Sequence, residues 1–302
     1  MLRSTKHNCS LATSASGSAG NHAVFRTLAI VVCLGLTQSC APGFSRGEPE
    51  NFPQEFRADA VIVDGLEVHY VESGIRSNPL TVFVHGTPGS WRAFEGYLRD
   101  PRLVASLHMI AVDRMGFGKS AAAGPHPSFE DQARSISALF NRNESGLRVL
   151  VVGHSLGGSI GLRVAVDYPD DVGALLVISS AISPQLSRPR WYNRLANLPV
   201  IRWLVPEDLT TANAEMMPLA EELAAMEQQL RTLPIPVTVM QGMKDSLVAP
   251  GNADYVEATL RKAELRVMRF PEIGHFLIWE QPDVVTDEIL RLAREIPGDS
   301  QP

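Results

Sequence analysis

Beyond Cys40 the chain has no cysteine, and the only other two are Cys9 and Cys33. Disulfides and thiolate metal sites are thereby excluded from residues 41–302. Basic runs are missing as well. The 27 Lys and Arg are outnumbered by 33 Asp and Glu, for a net charge of -6, which offers no footprint for a nucleic-acid backbone. Acidic residues are absent before Cys40, whereas Arg3, Lys6 and Arg26 are present. The apolar run at 27–36 (TLAIVVCLGL) has ten residues, well short of the about 20 a membrane-spanning helix needs. With 45% hydrophobic and 20% charged residues in a chain of 302, a large buried core is expected.

A basic, acid-free start followed by a short apolar run reads as a secretory signal over residues 1–39. Leu36-Thr37-Gln38-Ser39-Cys40 resembles a bacterial lipobox with its leucine one position early, which makes Cys40 a candidate for lipidation. Removal of this segment would leave a more acidic chain. Export to the bacterial cell envelope is expected, the protein being lipid-anchored, periplasmic or secreted, with any membrane attachment through the N-terminus. Residues 40–59 are rich in Pro, Gly and charge and read as a tether. The domain proper is expected over 60–296.

Within it, apolar runs of strand length recur at 60–63, 66–71, 80–84, 109–112, 148–152, 174–178, 237–240 and 265–270. Asp64-Gly65 between the first two is a hairpin signal. The later runs are unbroken and separated by helix-length amphipathic text at 91–98, 129–141, 156–167, 253–262 and 283–294, the pattern of a parallel sheet covered on both faces. An α/β fold follows. The interval 183–233 is too long for a simple connection and reads as a helical cap. Trp191, Tyr192, Trp203, Met216, Met217 and Met226 in it are expected mainly to pack the cap on the core.

Gly153-His154-Ser155-Leu156-Gly157 follows the fifth run and opens a helical pattern, the strand-turn-helix setting of a nucleophilic serine. A serine hydroxyl needs a base to take its proton. Among eight histidines, His275 stands just past the last strand, where a loop can carry it over the sheet's carboxyl edge. The base needs a carboxylate to orient it, and Asp245, immediately after the seventh run, emerges at the same edge. The residues after the sixth run, Ser179 to Ser183, hold no acid. For the oxyanion, the backbone N–H groups of Leu156 and of Thr87, in the His85-Gly86-Thr87-Pro88-Gly89 loop, are the candidate donors. Such chemistry requires no metal or organic cofactor.

HGTPGS at 85–90, DRMGFGKS at 113–120, GHSLGG at 153–158, Asp245 and GHF at 274–276 together resemble the α/β-hydrolase family over about residues 60–296. The resemblance implies a mostly parallel eight-stranded sheet, a cap over the pocket, and a triad of Ser155, His275 and Asp245. It implies no chemistry for the loop at 113–118. Haloalkane dehalogenases and soluble epoxide hydrolases are similar in the His-Gly-x-Pro loop but carry aspartate where this chain has Ser155. Proline iminopeptidases are similar in HGxPG, yet differ at Thr87 and Leu156. The expectation is a serine hydrolase of the carboxylesterase kind acting on small or medium-sized esters. Amide or peptide hydrolysis is the alternative, and a non-catalytic envelope binding protein a third reading.

Overall fold

The computed structural model describes residues 56–296, the Arg202 side chain excepted. The expected signal at 1–39, the lipidation candidate Cys40 and the expected tether up to residue 55 lie outside the described residues. The domain begins slightly earlier than expected. Strand β1 runs over Arg57–Val63, and Phe56 before it is buried with its ring edge-on to Trp91 at 5.9 Å. The composition of residues 56–59 reads as tether, but backbone pairing with β2 draws them into the sheet.

β1 turns through Asp64 and Gly65 into β2, Leu66–Gly74. Both turn residues have positive φ, 51° and 80°, as a tight hairpin matched to strand twist requires. The remaining strands are β3 (Leu80–Val84), β4 (His108–Val112), β5 (Val149–His154), β6 (Val172–Ile178), β7 (Pro236–Gly242) and β8 (Glu264–Phe270). The sheet order is β1-β2-β4-β3-β5-β6-β7-β8. β2 pairs antiparallel with β1 and with β4, and every pairing from β4 through β8 is parallel.

Strand pleating sends alternate side chains to opposite faces, and here each face has its own core. Leu80, Val82, Val84, Val149, Val151, Leu175 and Val177 join one, under helices Phe129–Ser137, Leu156–Asp167 and Leu219–Leu230. Phe83, Leu150, Val152, Leu176 and Ile178 join the other, with Trp91, Phe94, Leu277, Ile289 and Leu292. Burial on both sides explains why these strands read as unbroken apolar runs. Among the described residues no helix is long and apolar enough to cross a membrane.

The interval between β6 and β7 holds helices Trp191–Ala196, Pro199–Arg202, Glu207–Met216 and Leu219–Leu230. Its entrance is pinned by Asn252, whose Oδ1 accepts from the Ile182 and Ser183 amides at 2.8 Å. Met226 is buried as the sequence suggests. Trp191, at the start of one short helix, and Trp203, just past another, are not: they are 65% and 86% exposed, with no neighbouring element among the described residues covering the rings.

Candidate active site

Ser155 sits between the end of β5 and the start of helix Leu156–Asp167, with φ 54° and ψ -127°. That backbone conformation is strained for any residue with a Cβ, by about 1–3 kcal/mol, and persists only where the surroundings hold it. The Ser155 amide donates to the Ile178 carbonyl at 2.9 Å, and its own carbonyl accepts from Gly158 at 3.0 Å. Gly157 lets the helix start press on the end of β3: a Cβ there would lie 2.0 Å from the Val84 carbonyl oxygen. Gly86 does the same for the loop after β3, where a Cβ would meet that of Ser155 at 2.8 Å. The sharp turn thus projects the hydroxyl while the His85–Thr87 loop lies against it.

His275 follows β8, and its Nε2 lies 3.1 Å from Ser155 Oγ. On the other side of the ring, Nδ1 lies 2.8 Å from Asp245 Oδ2. Asp245 is buried, and its Oδ1 accepts from the Leu247 and Val248 amides, each at 2.8 Å. One carboxylate oxygen is therefore spent on fixing the loop and the other faces the imidazole. Three residues separated by up to 120 positions meet in one chain of hydrogen bonds, because β5, β7 and β8 are parallel and end on the same edge of the sheet.

Two candidate amides lie on the segments that meet at Ser155. Leu156 opens the helix, where N–H groups have no intrahelical acceptor. Thr87 lies in the loop packed against Ser155. Among the described residues neither amide donates to another protein group, and the Thr87 hydroxyl is buried without a partner. Both N–H groups are free to donate to a ligand oxygen.

A second histidine–carboxylate pair exists, His69 Nδ1 to Asp113 Oδ2 at 2.9 Å. Asp113 also accepts from the Trp91 and Lys119 amides, and His69 Nε2 is buried with no partner, so this pair faces no hydroxyl and braces a loop. His108 bonds Glu72 and His126 bonds the Ala123 carbonyl. Among the described residues no group of three or more His, Asp or Glu side chains could hold a metal ion.

Two supports were not legible in the sequence. His154 donates from Nε2 to the His275 carbonyl at 3.0 Å, and burial, reinforced by the neighbouring His275, pushes its pKa down to about 3. It is a neutral prop for the loop that carries His275. Arg114, in the loop to which no chemistry was assigned, is fully buried. Its Nε donates to the His85 carbonyl at 2.9 Å and Nη2 to the Gly86 carbonyl at 3.0 Å, while Nη1 and Nη2 grip Glu215 at 2.6 and 3.1 Å. Glu215 belongs to helix Glu207–Met216, so one guanidinium ties the β3 loop to the β6–β7 insertion. His85 completes the knot: its Nε2 accepts from the Arg114 amide at 3.1 Å, and burial with the adjacent Arg114 charge lowers its pKa well below the usual value. An arginine beside glycines gives no periodic signal, and its partner lies 101 residues away.

An eight-stranded, mostly parallel sheet with a serine on the turn after its fifth strand and a histidine beyond its last is the architecture of an α/β hydrolase. A family model described as the alpha/beta hydrolase family matches residues 81–288, and the chain belongs to that family. Mouse epoxide hydrolase 4 is 30% identical over 116 residues, which are 38% of this chain and 32% of that protein. The chain thus spans about a third of that relative's length. The dihydrolipoyllysine-residue acetyltransferase component of the acetoin cleaving system of Pseudomonas putida is 26% identical over 77% of this chain and 68% of its own. A thermostable monoacylglycerol lipase of a Bacillus species is 23% identical over 74% of this chain and 93% of its own. Among solved structures, epoxide hydrolase A of Mycobacterium thermoresistibile superposes with a TM-score of 0.65 at 18% identity, covering 81% of this chain and all of the other. These structural likenesses establish the fold.

Proposed function

We propose that the protein is a serine hydrolase that cleaves esters of small or medium-sized substrates through an acyl-enzyme. The observation that carries this reading is the continuous alignment of Ser155 Oγ, His275 and Asp245, at 3.1 and 2.8 Å. His275 Nε2 takes the hydroxyl proton as Ser155 Oγ attacks the ester carbonyl. The oxyanion accepts from the Thr87 and Leu156 amides, which have no other partner. The imidazolium then gives its proton to the departing alkoxide, leaving the acyl group on Ser155. A water, deprotonated by the same Nε2, releases the acid. Asp245 keeps the Nδ1–H in place and balances the transient positive charge.

Epoxide hydrolases are among the relatives, but an alkyl-enzyme on a carboxylate is not available where Ser155 stands. We take the insertion at 183–233 as a cap over the pocket, and residues 1–39 as an export signal with Cys40 as a lipidation site. The reaction is tested by fluorophosphonate labelling of wild type and Ser155→Ala, followed by a p-nitrophenyl ester chain-length series and aminoacyl p-nitroanilides. Labelling lost in Ser155→Ala, with turnover of short and medium esters, is the expected result. Folded wild type that takes no label sinks the nucleophile, and turnover of anilides alone would replace esterase by amidase.

A further inference from the structure

The chain is acidic overall, yet one stretch reverses the sign. From residue 183 to 206 it carries Arg188, Arg190, Arg194 and Arg202 and not one acidic residue. Arg188, Arg190 and Arg194 are exposed. Arg190 donates to the Ser246 carbonyl at 3.3 Å, and no ion pair engages any of the three among the described residues. The same stretch exposes its large apolar side chains: Trp203 by 86%, Val200 by 74%, Trp191 by 65% and Leu204 by 61%. The Trp203 amide donates to the Pro199 carbonyl at 3.3 Å, continuing the helical turn of Pro199–Arg202. Val200, Trp203 and Leu204 therefore stand at i, i+3 and i+4, side by side on one face.

Exposed indole rings and aliphatic side chains in one stretch with Arg188, Arg190 and Arg194, none of them in an ion pair among the described residues, match the boundary of a bilayer. Trp settles at headgroup depth, aliphatic groups enter the acyl edge, and guanidinium pairs bidentately with phosphate. A second copy of the chain fits less well. A two-fold contact sets a patch against itself, which would bring like-charged arginines together. We propose that residues 186–204 form a docking surface for an anionic lipid bilayer. Each arginine held near an anionic surface strengthens attachment about fivefold. The surface is independent of the N-terminal segment and of the reaction proposed for Ser155.

Vesicle flotation of the full chain tests this, using phosphatidylcholine alone and phosphatidylcholine mixed with phosphatidylglycerol. Three proteins are compared: wild type, the combined Trp191→Ser, Val200→Ser, Trp203→Ser, Leu204→Ser variant, and the combined Arg188→Gln, Arg190→Gln, Arg194→Gln variant. Every altered side chain is exposed, and thermal melts establish that each variant is folded. Wild type should prefer the phosphatidylglycerol vesicles by about tenfold or more and lose that preference at high salt. The apolar variant should bind about tenfold more weakly to both vesicles, and the arginine variant should lose the preference alone. Variants that float like wild type would put attachment elsewhere in the chain and overturn the proposal. So would a wild-type dimer in gel filtration that disappears in the apolar variant while vesicles capture neither.

Discussion

His154 Nε2 donates to the main-chain carbonyl of His275 at 3.0 Å, so the residue before Ser155 holds the loop that carries His275. The two rings lie 5.0 Å apart, and the Trp279 ring meets His154 edge-to-face at 5.4 Å. His154→Phe removes the donor and keeps the bulk. We expect kcat to fall about 10- to 100-fold with little change in KM, because a loop displaced by a fraction of an ångström misaligns Nε2 with Ser155. His154→Gln retains an N–H donor and should recover part of the loss. A Phe variant with wild-type kcat would dismiss the positioning role.

Acid should weaken the fold in two stages. His154 and His85 are held below their unfolded pKa, chiefly by burial, so the unfolded chain binds more protons than the native one once the pH drops below about 6.5. Stability due to these groups is present above that pH and declines as the pH falls. Glu72 acts lower down. Burial would raise its pKa, but His108, Arg76 and Arg57 donate to it and hold it far below 4.5, so its contribution is lost only as the pH falls beneath that value. Urea unfolding at steps from pH 7.5 to 3.5 should show a first decline near pH 6.5, shallower in His154→Gln. A flat profile from pH 7.5 to 5 would refute the first stage.

Arg114→Met should cost about 3–5 kcal/mol, since it strands the fully buried Glu215 carboxylate. Pairing it with Glu215→Leu should restore much of the stability, because the uncompensated charge is gone. Activity should not return in step, as the His85 carbonyl has still lost its side-chain donor and the Gly86 carbonyl one of two, His85 Nδ1 remaining, beside the Thr87 amide. Denaturant melts and ester kinetics on the two variants separate these effects. Equal recovery of both would reduce Arg114 to a stabilising role.

Two glycines should fail differently. Gly157→Ala drives a methyl into the Val84 backbone and should destabilise by about 3 kcal/mol, seen as a lowered melting temperature. Gly86→Ala presses instead on the Ser155 side chain, so activity should fall much more than stability. A Gly86→Ala variant with full activity would contradict the close approach of that loop to Ser155.

What the sequence by itself determined is what short-range patterning encodes. Strands β3 to β7 are apolar because they are buried on both faces, and the residues after β5, β7 and β8 were legible as Ser155, Asp245 and His275 because a parallel sheet delivers all those turns to one edge. Asp64 and Gly65 announced their hairpin for an equally local reason, the backbone angles the turn demands. The tertiary structure decided the rest: the order β2-β4-β3-β5, the grip of Arg114 on Glu215, the bond from His154 to the His275 carbonyl, and the exposure of Trp191 and Trp203. Each depends on which distant segment comes to lie alongside, and neither a residue's type nor its local period encodes a neighbour 100 positions away.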